Sequence, residues 1–469
     1  MLLFGFFLLL LFSDSSHLVF ADDNVNEDDF PSNSKISRDV CIIGGGSSGT
    51  YAAIRLKQLG KTVAVVEKEA VLGGHTNTYI DPITHVPVDY GVQVWDDIPV
   101  VTNYFSYFNI SLISTALEAS PFVSDFADFS AGSIIPNNLI PQGNLPGAIQ
   151  TYLGQLSNYP FIDNGFNLPS PVPADLLLSF GDFIKKYNLQ DLAYTAWEFN
   201  QGNGNVLAQL ALYEIKAFSP LVVEGILNGF LTTASHDNHE LYDKALTVLG
   251  SDAFVSSTVH TVERNNGRIK AVISTPSGKK LIKAKKLLIT IPPKLENLQF
   301  LDLDDNERGL FGLFNNSYYW NGVIRNSGIP DNTSITSLNL QAPYGIPPQP
   351  GIFTIQATGV PGLHTVYYGS ASPISTDQVK TNILADIAKV VKSAGFPAAP
   401  GPAEFVAFGD HSPFLLTAPV HAIKNGFYNH LNALQGKSKT WWTGASWQAH
   451  DSSLIWNFTE YNILPQLSS

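Results

Sequence analysis

Three glycines and one carboxylate form the clearest chemical pattern in the sequence. Gly44, Gly46 and Gly49 stand at G-x-G-x-x-G spacing, and Glu67 follows 18 residues after the last of them. Without Cβ atoms, the first glycine permits a tight turn and the second lets a pyrophosphate approach the backbone, while the third lets a helix pack closely. A carboxylate at this distance can accept hydrogen bonds from both hydroxyls of a ribose. Together with Ser48, these residues are predicted to bind an adenine dinucleotide.

The surrounding elements are those that such a site needs. Residues 40–43 form a short apolar run that is typical of a buried parallel strand. Apolar residues between 52 and 59 then repeat at helical spacing, and residues 63–66 form a second apolar run that ends on Glu67. Strand, glycine turn, helix, strand and acid in register are far more specific than a glycine triplet alone. The alternative is an ordinary glycine turn in a βαβ unit.

The residues after Glu67 distinguish between two cofactors. A Gly73-Gly74 pair precedes His75, and Val88-Asp89-Tyr90-Gly91 comes shortly afterwards. This stretch resembles the flavin monoamine oxidase superfamily, whose first FAD-binding segment continues into a Gly-Gly pair and then an Asp-x-Gly. The resemblance implies FAD rather than NAD, with Gly73, Gly74 and His75 among its contacts.

Two later segments resemble the same superfamily. Residues 256–271 are similar to the strand that brackets the adenine, which implies a contact at Val262. The segment TWWTGASW at 440–447 resembles the last strand of the cofactor domain, which implies that Gly444 passes the ribityl chain. Trp447 is our candidate for a pocket wall beside the flavin, with a place in the core as the alternative. The general base is not identified; His75 is a candidate only through its position after the glycine pair.

A narrower resemblance rests on four segments, GGHTNTY, VDYGVQVW, GFYNHLNALQGK and TWWTGASW. Together they are similar to the fungal beta-cyclopiazonate dehydrogenase family of FAD oxidoreductases. That resemblance implies removal of hydride from a bulky apolar secondary metabolite, in some members with ring closure. Amine oxidases usually place a lysine near the flavin, whereas the matching residues 319–323 contain none. Simple amine oxidation is therefore disfavoured.

Two other classes of function compete with this interpretation. One is an FAD-dependent isomerase that moves double bonds in a fatty acid, and the other is a noncatalytic binding protein stabilised by FAD. The sequence contains no second G-x-G-x-x-G motif and hence no evident nicotinamide site. Dioxygen is then the simplest electron acceptor for an oxidoreductase.

The order of the motifs predicts an α/β protein whose domains are interleaved. A Rossmann-like FAD-binding domain is expected from residues 36–95, 242–295 and 431–467. An α+β substrate domain of the amine-oxidase type is expected from residues 96–241 and 296–430. Within the latter, apolar residues at helical spacing predict an amphipathic helix over 376–393.

Composition excludes several kinds of partner. The chain has a formal charge of −13, and its sequence contains no block of basic residues. Nucleic acids and anionic membranes are therefore disfavoured as partners. Cys41 is the only cysteine, so the chain offers no disulfide and no cysteine-based metal centre. The His236-Asp237-Asn238-His239 stretch follows no zinc spacing, and no metal site is predicted.

The amino terminus predicts secretion. Residues 2–12 form an apolar run of signal-peptide length, and Val19-Phe20-Ala21 offers a small-residue cleavage site. Residues 1–21 are thus a predicted signal peptide, with an uncleaved amino-terminal anchor as the alternative, and 22–35 a predicted disordered lead-in. The apolar run is too short to span a bilayer, so the mature chain has no expected membrane span. Sequons at Asn109, Asn315, Asn332 and Asn457 suit a glycoprotein that is secreted or held in the secretory lumen.

Overall fold

The computed structural model describes residues 25–117, 122–264 and 267–469, so the predicted signal peptide lies outside the described residues. The strands are β1 Lys35–Ile43, β2 Val63–Val66, β3 Thr78–Ile80, β4 Pro87–Asp89, β5 Leu112–Ser114, β6 Val123–Asp128, β7 Ser133–Ile135, β8 Leu231–Thr233, β9 Ala253–Phe254, β10 Thr258–Glu263, β11 Ile269–Thr275, β12 Gly278–Ile289, β13 Asn315–Asn316, β14 Tyr318–Arg325, β15 Thr333–Ser337, β16 Gly351–Ala357, β17 Leu363–Ser370, β18 Glu404–Asp410, β19 Leu416–Thr417 and β20 Thr440–Trp442. The helices are α1 Ser47–Gln58, α2 Pro99–Tyr107, α3 Leu145–Leu156, α4 Phe180–Lys186, α5 Ala193–Phe199, α6 Ala211–Ala217, α7 Pro220–Asn228, α8 Glu240–Leu249, α9 Asp305–Phe311, α10 Thr376–Ala394, α11 Val420–Lys424, α12 Phe427–Asn432, α13 Ser452–Phe458 and α14 Leu464–Ser468.

The first sheet draws its strands from both ends and the middle of the chain. Its order is β10-β11-β12-β1-β2-β9, with β20 also paired to β12. Strand β1 runs parallel to both β12 and β2, and the four residues of β2 are all buried. Strands buried on both faces explain the unbroken apolar runs at 40–43 and 63–66.

The second sheet has the order β18-β14-β17-β16-β15-β6-β7. Helix α10 covers one face through Val379, Ile383, Ile387 and Val390, whose spacing predicted this helix. Alternate residues of the sheet point to its other face, where Tyr319, Phe353 and Tyr367 join the core of the first sheet. Side chains on this other face therefore pack towards the first sheet.

The end of the chain returns to the first helix. The ring of Trp456 in α13 stacks on that of Tyr51 in α1, with centroids 5.6 Å apart. The Trp456 indole N–H donates to the Ser47 carbonyl at 3.2 Å. Helix α13 is thereby fixed with its first residues close to the start of α1.

Part of the predicted disordered lead-in is ordered. Residues Glu27–Asp29 and Ser32–Ser34 form two short 3-10 turns. Val25 packs against Val272 and Leu281, and Glu27 forms an ion pair with Lys283 at 2.7 Å. The prediction was wrong here because the acidic composition of the segment suggested solvation, whereas lysines of β11 and β12 lie opposite it.

Candidate functional site

The glycine turn between β1 and α1 is sterically closed to larger residues. Gly44 has φ +103°, and a Cβ there would lie 2.5 Å from Thr290 Oγ1. A Cβ on Gly49 would lie only 2.0 Å from the Gly44 carbonyl oxygen. Helix α1 begins at Ser47 directly after the turn, so its unpaired amides and positive dipole end border this space. Such a helix start is suited to a pyrophosphate.

The second glycine pair lies against this turn. The Gly73 N–H donates to the Gly45 carbonyl at 2.9 Å. Gly74 has φ +58°, and a Cβ on it would come within 3.0 Å of the Gly46 Cα. The close approach of these two backbones explains why both turns contain glycine. We call Gly44, Gly46, Gly49, Gly73 and Gly74 together the glycine cradle.

Glu67 stands at the end of β2 beside the cradle. One carboxylate oxygen accepts from the Gly45 N–H at 2.6 Å, and the other accepts from the Glu69 N–H at 2.9 Å. Each carboxylate oxygen has a second lone pair, which remains available for a ribose hydroxyl. The glycine turn thus orients the Glu67 carboxylate, and both are predicted to bind the same dinucleotide.

Val262 lies in β10, whereas Glu67 follows β2. The strand next to Glu67 is β9, where the Phe254 carbonyl accepts from the Glu67 N–H at 2.9 Å. Val262 belongs to β10 at the opposite edge of the sheet, where its N–H donates to Phe300. Directly before β10, the Ser257 N–H donates to the Glu67 carbonyl at 2.8 Å. The adenine contact at Val262 stays a prediction.

The C-terminal segment closes the other side of the cradle. Gly444 has φ +118°, and a Cβ there would lie 3.5 Å from the Thr290 carbonyl and 3.7 Å from the Ser48 hydroxyl. The Ser47 hydroxyl donates to that of Ser452 at 2.9 Å, so the starts of α1 and α13 touch. Ser48 and Gly444, predicted from opposite ends of the chain, are brought together.

Three histidines, His75, His411 and His450, meet where the two sheets adjoin, and we call them the imidazole cluster. The rings of His75 and His411 have centroids 4.3 Å apart, and those of His75 and His450 are nearly parallel at 6.4 Å. Phe414 stacks on His450 at 3.9 Å, and Tyr319 lies 4.9 Å from Phe414. Only His75 was singled out from the sequence, because the other two belong to no local motif.

The imidazole cluster is uncharged at neutral pH. Burial lowers the pKa of His75 to about 4 and that of His450 to about 3, and it holds the pKa of His411 well below its usual value. The His75 residue nevertheless retains accessible surface. A neutral imidazole has one donor and one acceptor. Among the described residues, no three His, Cys, Asp or Glu side chains are arranged to hold a metal ion.

Trp447 occupies a core position after the Gly444 turn, where its backbone N–H donates to the Gly444 carbonyl at 3.1 Å. Its ring stacks on Trp442 with centroids 5.8 Å apart, and its indole N–H has no partner among the described residues. The neighbouring Gln448 accepts from the buried ammonium of Lys216 and donates to the Asp163 carbonyl at 2.9 Å. The role of Trp447 as a pocket wall stays a prediction.

Asp96 and Asp451 form a buried carboxyl pair at the start of α13. Asp451 caps this helix by accepting from the Ser453 and Leu454 N–H groups. Burial and the adjacent charge of Asp451 raise the pKa of Asp96 to about 9, so Asp96 is protonated at neutral pH. Asp is a common N-cap residue, so Asp451 suits its position, whereas no sequence pattern marks Asp96.

Comparisons with known proteins agree with this geometry. Residues 42–108 match the NAD(P)-binding Rossmann-like domain. The chain is 37% identical to the FAD-dependent oxidoreductase pigF of Monascus ruber over 98% of both chains. It is 34% identical to beta-cyclopiazonate dehydrogenase of Aspergillus oryzae, over 92% of this chain and 94% of the relative. The chain belongs to this family of fungal FAD-dependent oxidoreductases. The predicted family, enzyme class and FAD cofactor are confirmed.

Solved structures establish the fold. A fatty acid isomerase from P. acnes superposes with a TM-score of 0.73 at 17% identity, covering 91% of this chain and 99% of that one. Putrescine oxidase bound to putrescine superposes with a TM-score of 0.62 at 15% identity, covering 92% and 100%. The predicted α/β fold with a Rossmann-like FAD domain and amine-oxidase-like architecture is confirmed. The exact domain limits stay a prediction.

The site fits FAD on steric grounds of its own. Side chains at Gly46 and Gly74 would fill the gap between the two backbones, and Glu67 stands where a ribose would follow the pyrophosphate. Gly44, Gly46, Ser48, Gly49, Glu67, Gly73, Gly74, His75 and Gly444 would therefore hold FAD. Within the described part of the chain, no helix is both long and apolar enough to cross a membrane.

Proposed function

We propose that this FAD-dependent oxidoreductase removes hydride from a bulky, uncharged and largely apolar metabolite, and that dioxygen accepts the electrons. The observation that carries the proposal is the imidazole cluster, which is aromatic, neutral and adjacent to the glycine cradle. Bound FAD supplies the hydride acceptor. The protein then has to place the substrate against it and to exclude water.

The two sides of the imidazole cluster belong to different parts of the fold. His75 directly follows the glycine cradle, and His450 directly precedes the cap of α13. His411 and Phe414 come from the segment after β18, in the second sheet. A molecule between these segments would be held by the cofactor side and by the second sheet together.

The same cluster argues against a cationic amine as the preferred substrate. Its imidazoles stay neutral and give no fixed negative charge to an ammonium group, whose burial would then be costly. Residues 319–323 also lack the lysine of amine oxidases. The name of the relative beta-cyclopiazonate dehydrogenase supports a small metabolite as substrate.

Anaerobic bleaching of the flavin tests this proposal. The FAD-loaded protein is mixed with a panel of apolar alkaloids, terpenoids and polyketides, with benzylamine and putrescine as comparison compounds. We expect an apolar metabolite to bleach the flavin, deuterium at the oxidised carbon to slow bleaching, and air to restore the colour with release of peroxide. Fast reduction by the amines alone would contradict the proposal. Double-bond migration without oxygen uptake would indicate the isomerase, and no response to any compound would favour a binding protein.

We further propose that the protein enters the secretory pathway and is glycosylated. The apolar run at 2–12 supports this, as do the exposed sequon residues Asn109 and Asn332. Expression in a fungal host should give a secreted or lumenal protein whose mass falls on treatment with an endoglycosidase. Recovery of an unglycosylated protein that retains residues 1–21 in the cytosol would contradict it.

A further inference from the structure

The face of the second sheet that borders the imidazole cluster contains an unusual polar residue. Asn321 lies in the middle of β14, in the stretch where amine oxidases carry their lysine, and only 2% of its surface is exposed. Its Oδ1 has no hydrogen-bond partner among the described residues. A buried amide oxygen without a partner is costly, because it has lost water and gained nothing in return.

His411 presents a second atom of this kind. Its side chain is 4% exposed, and its Nε2 likewise has no partner among the described residues. The chain holds it in place because the His411 N–H donates to the Tyr319 carbonyl at 2.9 Å. Burial keeps the imidazole neutral, so one of its nitrogens carries a proton and the other accepts.

Both unpaired atoms converge over one glycine. Gly409 pairs with Asn321 across the β14–β18 ladder. A Cβ built on Gly409 would lie 2.7 Å from Asn321 Oδ1 and 3.1 Å from His411 Nε2. The two atoms therefore flank the same point, and the cluster residue His75 is close to it, since the rings of His75 and His411 are 4.3 Å apart.

We propose that Asn321 and His411 together bind a single hydroxyl group, of phenolic or enolic type, on an otherwise apolar substrate. The hydroxyl donates its proton to Asn321 Oδ1 and accepts from the His411 Nε2–H. One group with a donor and an acceptor satisfies both atoms, whereas a hydrocarbon would leave both unpaired. This inference rests on the proposed function for its placement beside FAD, and it adds the substrate class.

Two small probes test the site without knowledge of the natural substrate. The FAD-loaded protein is titrated with 4-methylphenol and with 4-fluorotoluene, in which fluorine replaces the hydroxyl, by calorimetry and by flavin absorbance. We expect 4-methylphenol to bind at least about tenfold more tightly, since only the phenol satisfies both buried atoms. His411→Phe and Asn321→Leu should each clearly lower that ratio, and the double variant should bring it close to one, while 4-fluorotoluene binding changes by less than about twofold. Gly409→Ala should weaken both probes, because its methyl group would lie 2.7 Å from Asn321 Oδ1 and force the two side chains to move.

Exposed residues provide matched controls. His260→Phe in β10 and Asn103→Leu in α2 repeat the same changes of residue type at exposed positions and should leave the ratio unaltered. His411→Gln, which keeps a donor, should retain part of the preference and serves if His411→Phe does not fold with FAD. The proposal is overturned if neither probe binds, if both bind equally well, or if the ratio persists in the variants. Hydroxyl-dependent binding without bleaching by any metabolite would uphold this site and reject the proposed oxidation.

Discussion

The glycine cradle and the imidazole cluster adjoin each other, yet they are built in different ways. The cradle offers backbone amides, and its residues matter for the side chains that they lack. The imidazole cluster offers side chains that come from residues 75, 411 and 450, far apart in the sequence. The cradle is suited to hold a cofactor common to many enzymes, while the cluster is where a particular substrate can be selected. Changes in the first should abolish cofactor binding, and changes in the second should alter turnover.

Gly49→Ala is expected to have the largest effect in the glycine cradle. Its methyl group would lie 2.0 Å from the Gly44 carbonyl, so the turn or helix α1 must move. We expect a loss of more than about 3 kcal/mol in unfolding free energy and no bound FAD, as measured by chemical denaturation and by flavin content. Gly309→Ala in α9, where a Cβ meets nothing within 4 Å, is the control and should leave FAD content unchanged. Full FAD loading of Gly49→Ala would remove the steric basis of the cradle.

Trp447→Ala tests whether Trp447 lines the substrate pocket or belongs only to the hydrophobic core. Because Trp447 stacks on Trp442, its truncation should lower the free energy of unfolding by about 3–5 kcal/mol. If Trp447 also walls the pocket, turnover per folded protein should fall much more than FAD content does. Trp442→Ala is the matched variant, with a similar loss of stability expected. Equal turnover per folded molecule in both variants would assign Trp447 to the core alone.

The difference in construction also determines what could be predicted from the sequence. Backbone recognition needs glycines at fixed spacing within one βαβ unit. The sequence pattern of Gly44, Gly46, Gly49 and Glu67 could therefore predict a dinucleotide site. The helix over 376–393 was likewise predicted by local periodicity and is observed as Thr376–Ala394. His411, His450 and Asp96 were not identified, because their neighbours are set by the packing of distant segments.

Glu67→Ala examines the one part of the cofactor region that depends on a side chain. The variant removes a charge-assisted hydrogen bond to ribose and should weaken FAD binding by about 1.5–3 kcal/mol, as measured by calorimetry with the apoprotein. It also leaves the Gly45 N–H without its present acceptor. Glu69→Ala, two residues further on and exposed, is the control and should change FAD affinity very little. An unchanged affinity in Glu67→Ala would mean that the backbone alone holds the cofactor.

Asp96→Asn makes the smallest change in structure, since it replaces a protonated carboxyl by an amide of the same shape. The pKa of Asp96 rises from 3.8 to about 9 on folding, so between these values the folded protein holds a proton that the unfolded chain has released. The stabilisation is complete in acid and is lost as the pH rises through this window, by up to about 1.4 kcal/mol per pH unit. The variant cannot titrate, and its unfolding free energy should therefore fall less steeply between pH 5 and pH 9 (about the range of this window). The exposed neighbour Asp97→Asn should keep the slope of the unaltered protein. Identical slopes for Asp96→Asn and the unaltered protein would show that Asp96 is ionised beside Asp451 at the start of α13, so that two buried carboxylates carry charge there.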